Sequence, residues 1–230
     1  MWTEYVNRLL GVTVGFLILA TAVSAWRHHR HQPRILWTTV AAFLLVGFEG
    51  WLGGRVVAHE LAAWIVTAHL IVAIVIVQLL LYATVEATRP AGGGRLKSEG
   101  RLAMLLIGLT LVQVGVGTQV RGHIETALIA GVGRDVALST VGSLDYLHRD
   151  LAFVVLFGVA LFTVWLLSRH SPLVRWSLAV LTLAVLQIAL GAVMAYGSLI
   201  PAAQVGHLTI ASLMLGAQTV LWLSTWRQSP

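Results

Sequence analysis

The chain has 230 residues, of which 58% are hydrophobic and only 10% charged, with a mean hydropathy of +0.86. A soluble domain carries about 25% charged residues, so this composition excludes a soluble globular protein. The net charge of +6 comes from basic residues in short loops, which excludes a nucleic-acid surface, and the absence of cysteine excludes disulfides, thiolate metal sites and thioether-linked cofactors.

Seven apolar runs follow one another, at residues 5–26, 35–57, 61–84, 102–120, 146–168, 174–197 and 203–226. Each is long enough to cross about 30 Å of hydrocarbon at a rise of about 1.5 Å per residue. The expected fold class is an all-α polytopic membrane protein with seven transmembrane helices. The opening MWTEYVNR has no basic region before its apolar run and no clear cleavage site, which predicts that the first run stays as a membrane helix. The basic loop AWRHHRHQPR follows, with His28, His29 and His31 read as headgroup-facing rather than metal-binding. Run 2 contains FEGWLGGRVVAH and run 3 begins near His59 and Glu60, the latter a helix-start acid favoured by the helix dipole. The glycine-rich TRPAGGGRLKSEGR separates run 3 from run 4 as a flexible linker, and residues 121–145 form a longer outer loop, with room for a short surface helix. Pro33, Pro172 and Pro201 stand just before run starts, where a missing amide proton costs little.

Ten of the fifteen Lys and Arg residues fall on one side, in the loops around Arg27, Arg30, Arg34, Arg89, Arg95, Lys97, Arg101, Arg169, Arg175 and Arg227. The positive-inside rule then predicts an outer N-terminus and a cytoplasmic C-terminus. Trp26, Trp37, Trp165, Trp176, Trp222 and Trp226 fall at the inner boundary, as an aromatic belt does.

The two halves repeat. Glu4, Tyr5, Asn7 and Arg8 match Asp145, Tyr146, His148 and Arg149 at an offset of 141, while Glu49, Leu52, Gly53, His69, Leu70 and Ala73 match Gln187, Leu190, Gly191, His207, Leu208 and Ala211 at an offset of 138. Runs 1–3 thus repeat as runs 5–7 with run 4 unpaired, and both copies start on the same side. The expected organisation is a first unit over 1–84, a linker over 85–101, run 4 with the outer loop over 102–145, and a second unit over 146–230.

Polar side chains inside a membrane are expensive and usually face the bundle interior. His148 and His207, one near the outer end of each of two helices, suit haem iron with two axial imidazoles, and the apolar box would hold the macrocycle. Glycines 47, 50, 53, 54, 191 and 197 would permit close approach. The outer arginines Arg8, Arg55, Arg121 and Arg149 offer charge-assisted partners to haem propionates, or else act as interfacial anchors. Against this stands the plainer reading that the histidines only pack helices. A matched pair in a repeat favours ligation. In the first unit His69 holds the place of His207, but Asn7 stands where His148 does, with Glu4 three residues before it and Glu49 in place of Gln187. One imidazole and two carboxylates describe a reaction site better than an electron carrier. The provisional reading is a cofactor in the second unit and a substrate in the first.

EYVNRLLG, EGWLGGRVVAH…TAHL, LVQVGVGTQVRGHIE, DYLHRDLAF and LQIALGAV…VGHL resemble, in order and spacing, the haem A synthase family, over nearly all of residues 3–226. The resemblance implies two four-helix halves, here without the first helix of the first half, in a bacterial inner membrane. It implies haem b between His148 and His207, haem O as substrate in the first half, and oxidation of the C8 methyl of haem O to a formyl group. It makes Glu4 an important carboxylate and His69 the substrate-side ligand. On the enzyme reading Glu4 is the catalytic acid or base, Asn7, Arg8, Arg55 and Glu49 lie around that substrate, and Arg149 and Arg121 stand beside haem b. Expected partners are a haem O synthase, a terminal oxidase, membrane lipid and no nucleic acid. Asn7 departs from the family's histidine, the outer-loop cysteine pair of some members is absent, and the unpaired run 4 leaves a face for a partner chain or second copy. A non-catalytic haem-b subunit or oxidase assembly factor is the alternative to the enzyme, and a transporter is a weaker third reading.

Overall fold

A computed structural model describes residues 2–58, 63–88, 97–197 and 199–225. His59, Glu60, most of the glycine-rich linker and the Trp226–Arg227 end lie outside these residues. Among the described residues there are seven long α-helices: α1 (Trp2–His28), α2 (Pro33–Ala58), α3 (Ala63–Ala87), α4 (Lys97–Ile129), α5 (Ser143–Ser168), α6 (Val174–Tyr196) and α7 (Pro201–Ser224). A short 3₁₀ helix, Ala137–Val141, lies between α4 and α5. All seven long helices are long and apolar enough to cross a membrane, and the protein is a multi-pass membrane protein. In lipid every backbone amide must be satisfied within its own segment, which is why uninterrupted apolar runs become helices and nothing else. The helices are apolar all round, and large side chains such as Phe16, Trp37, Phe157 and Leu161 stand on the outside, where a membrane supplies the apolar solvent.

The chain divides into two units, Met1–Arg89 and Pro90–Pro230. In the first, α1 packs on α2 and α2 on α3. Its small core is Ile18, Ala42 and Ile76, and an Arg34–Glu86 contact of 3.5 Å ties α2 to α3. In the second, α4 packs on α5, α5 on α6, α6 on α7 and α7 back on α4, so four helices close a ring. One end of that ring is filled by Leu106, Val159, Phe162, Leu166, Leu173, Val180 and Leu221. Two side-chain hydrogen bonds cross it: Thr163 to Ser177 at 2.6 Å between α5 and α6, and the Gln218 amide to the Thr110 hydroxyl at 2.9 Å between α7 and α4. Most other hydroxyls bond their own helix four residues back, as Thr13, Thr84 and Thr209 do, and so tie nothing together.

The structure revises one boundary. Helix α4 does not stop at residue 120 but continues through Arg121, His123 and Glu125 to Ile129. These residues are polar yet good enough helix formers, so polarity marked the edge of the membrane and not the end of the helix. The chain then turns at Gly131, whose φ of 85° places it in the left-handed region that glycine adopts most easily. Val120 and, on this extension, Ile124 pack with Ala137, Val141 and Leu199, and Arg134 donates to the Leu199 carbonyl at 3.2 Å, so the segment between α4 and α5 is tied down.

Candidate functional site

The alternating direction of α4 to α7 brings the late residues of α4 and α6 and the early residues of α5 and α7 to one end of the ring. His148 and His207 meet there, their ring centroids 6.5 Å apart and their planes inclined at 62°. Both rings are only partly exposed, and the Nδ1 atom of each is buried without a hydrogen-bond partner. Neither helix packs directly on the other, so the pair faces across the interior of the ring.

Two features on α4 position His148. The Gln113 side chain donates to the His148 main-chain carbonyl at 2.8 Å, which fixes the registration of α4 against α5. One turn on, Gly117 leaves the room the ring needs, because a Cβ there would lie 2.8 Å from Cε1 of His148. Gly191 does the same for His207 on α6, with a Cβ-to-Cε1 distance of 3.6 Å. The His207 ring also faces the main chain of Gln187. Reading the sequence brought out Gly191 but missed Gln113 and Gly117, because α4 has no counterpart in the repeat to flag them.

Two imidazoles bound on opposite sides of one metal place their centroids about 6.2–6.4 Å apart, from a metal–nitrogen distance of about 2.0–2.1 Å and about 1.1 Å from nitrogen to ring centre. The observed 6.5 Å is close to that spacing. The glycines leave the room that each imidazole needs against its neighbouring helix, and no other side chain occupies the Nδ1 side of either ring as a hydrogen-bond partner. The residues present therefore fit a haem held by two histidines.

In the first unit, His69 on α3 lies against α2. Its Nδ1 is 3.0 Å from Oε1 of Glu49, at ion-pair distance though not aligned for a straight hydrogen bond, and its ring fills the space above Gly53. Oε2 of Glu49 is buried without a hydrogen-bond partner. Glu4 and Asn7 sit at the same end of α1 as His69 does of α3, and both are exposed. Glu4 is bonded to Arg8 at 2.7 Å, and Asp145 is bonded to Arg149 at 2.6 Å. The polar phrase written twice in the sequence is therefore the same i,i+4 ion pair near the start of α1 and of α5. Asn7 lines a shallow open groove with Trp2, Val6 and Leu10. Arg55 lies exposed in the last turn of α2, and Arg121 is exposed on the extension of α4.

A model of the cytochrome oxidase assembly protein family COX15-CtaA matches residues 1–219. Among curated relatives, the heme A synthase of Allorhizobium ampelinum is 25% identical over 195 residues, covering 74% of this chain and 53% of that protein. That of Hyphomonas neptunium is 26% identical over 165 residues, covering 65% of this chain and 44% of its own. That of Rhizorhabdus wittichii is 25% identical over 244 residues, covering 95% and 69%. The chain spans about half the length of the first two relatives. No solved structure matches.

Proposed function

We propose that this chain, which belongs to the cytochrome oxidase assembly protein family, is a haem A synthase that holds haem b in its second unit and oxidises haem O in its first. The observation that supports this most is the facing imidazole pair of His148 and His207, set at the spacing of two ligands to one iron. Bound there, haem b supplies reversible one-electron chemistry. Gln113, Gly117 and Gly191 would hold its ligands in place, and Arg149 and Arg121 would pair with its propionates.

In the first unit His69 binds the iron of the substrate, Asn7 and Glu49 flank it, and Arg8 and Arg55 orient its propionates. Converting the C8 methyl to a formyl group removes four electrons and four protons when water supplies the oxygen, and the electrons leave to an external acceptor. Glu4 accepts protons in that sequence. An ion pair with Arg8 one turn on, at 2.7 Å, holds its side chain on the surface of α1. The protein lies in the cytoplasmic membrane with its N-terminus outside, receives haem O from a haem O synthase and serves a terminal oxidase.

A second reading, a haem-b subunit or assembly factor without activity, draws on Asn7, which offers no imidazole opposite His69. One experiment separates the two. The protein is co-expressed with a haem O synthase, purified, and its haems are extracted and separated by chromatography. Haem A or its alcohol precursor beside haem b is expected, with loss of the oxidised product in Glu4→Ala and loss of haem b in His148→Ala. Haem b alone, with haem O supplied, refutes the enzyme. An unchanged haem b spectrum in His148→Ala refutes the cofactor site.

A further inference from the structure

All three intramembrane histidines rest on the same local device. Glu49 and Gly53, Gln113 and Gly117, and Gln187 and Gly191 each read Glu or Gln, three residues, then Gly. Four residues make about one helical turn, so each pair shares one face of its helix. In every case the glycine lies under an imidazole from a neighbouring helix: His69 on Gly53, His148 on Gly117 and His207 on Gly191. The polar residue lies one turn deeper in the span. Two of the three seats face the same interior, that of the α4–α7 ring, and both carry an amide.

The third seat carries an acid. Oε1 of Glu49 is 3.0 Å from Nδ1 of His69, while its side chain is only 13% exposed and Oε2 has no hydrogen-bond partner. A glutamine serves as well for packing, as position 187 demonstrates, and it carries no charge into an apolar span. A buried carboxylate with one oxygen unbonded is therefore costly unless its charge is put to use. Its one close partner here is the outer nitrogen of an imidazole. A carboxylate at that position fixes the ring's orientation and raises its basicity toward a metal on the far side.

We propose that Glu49 is a positioning residue that makes His69 a stronger electron donor to iron than His148 or His207, so that the acidic seat marks the reacting haem and the two amide seats mark the electron-carrying one. This rests on the reading above that both units bind haem. A more donating axial ligand stabilises the oxidised iron and lowers its potential, which is one of the levers a protein has over haem reactivity.

The test uses the whole protein, purified after co-expression with a haem O synthase, in wild-type form and with His148→Ala to isolate the first site. Optical redox titration and the iron–imidazole stretch in the resonance Raman spectrum of the reduced form are the readouts. In Glu49→Gln both haems should remain, the first-unit haem should shift to higher potential with a weakened iron–imidazole stretch, and the His148–His207 haem should not move. Glu49→Ala should lower first-unit occupancy by about 10–100-fold. The reciprocal Gln187→Glu should lower the potential of the second-unit haem. If Glu49→Gln retains its haem with potential and stretch unchanged, the inference is overturned and the functional reading stands. If wild type loads only one haem despite supplied haem O, the functional reading fails and the inference with it. If Glu49→Gln does not fold, Gln187→Glu decides, and an unmoved potential there overturns the inference.

Discussion

Replacing Gly117 with alanine adds one methyl group where the His148 ring already lies. A Cβ at this position would sit 2.8 Å from Cε1, 3.4 Å from Nδ1 and 3.5 Å from Nε2. Ordinary carbon–carbon contact is about 3.5–4.0 Å, so the ring must retreat by at least roughly 0.7 Å or α4 must move away from α5. A metal site tolerates about 0.2 Å of error in its ligand distances, several times less than that retreat. Alanine is also the better helix former by about 0.8–1.0 kcal/mol, so the helix alone is not weakened. Two effects thus oppose each other. Overpacking costs about 1–3 kcal/mol, and in the loaded protein it falls on the one ring that must not move. The expected result is a haem b content lowered by about 10–100-fold, with thermal stability of the haem-free protein lowered by at most about 2 kcal/mol, the overpacking cost less the gain in helix propensity. The same substitution at Gly53 meets His69 at 3.3 Å and should lower haem occupancy of the first unit by a smaller factor, leaving haem b in place, while at Gly191 it meets His207 at an ordinary 3.6 Å and should also leave haem b in place. Haem-to-protein ratio and the reduced-minus-oxidised spectrum of the three variants check this order. A Gly117→Ala protein with full haem b and an unaltered low-spin spectrum would refute the argument that α4 seats the ligand.

Gln113→Leu removes the 2.8 Å bond to the His148 carbonyl, and such interhelical bonds in membranes average about 0.6 kcal/mol with a maximum near 1.7. A small loss of stability in detergent and a faster release of haem are expected, and unchanged release after dilution into a haem scavenger would count against a positioning role. Thr110→Val leaves the buried Gln218 amide without its 2.9 Å partner, which should cost about 1–3 kcal/mol in thermal unfolding while the haem spectrum stays as it is. Arg149→Met breaks the pair with Asp145, but the arginine side chain is 37% exposed and the pair is worth less than about 1 kcal/mol to the fold. A loss of haem affinity greater than about tenfold in that variant, measured by haem titration, therefore reports binding of a propionate, and no loss removes that role.

Much of this could be read before any coordinates. Isolated polar residues stand out in apolar runs, and the second appearance of Glu/Asp-Tyr-x-x-Arg with an imidazole two runs later was enough to pair His148 with His207 across a bundle. The ion pairs Glu4–Arg8 and Asp145–Arg149 are equally visible as four-residue spacings, although the same arginines also suit propionates. What stayed hidden was whatever the repeat did not duplicate. Helix α4 has no partner copy, so Gln113 and Gly117 matched nothing at either offset, and the polar residues after 120 read as a loop. The proximity of Glu49 to His69 needed the structure as well, because the rotation of α2 about its axis decides whether position 49 faces α3 or lipid. The recurring Glu/Gln-x-x-x-Gly spacing was the available signal for all three seats.

Helix α4 also works as a latch. It completes the ring by touching both α5 and α7, and it carries Gln113, Gly117 and Thr110 to those contacts. A local opening of α4 away from α5 or α7 would loosen the seat of His148 and the wall of the ring at once. The dwell time of any occupant between His148 and His207 therefore depends on these helix contacts as well as on its bonds to the imidazoles.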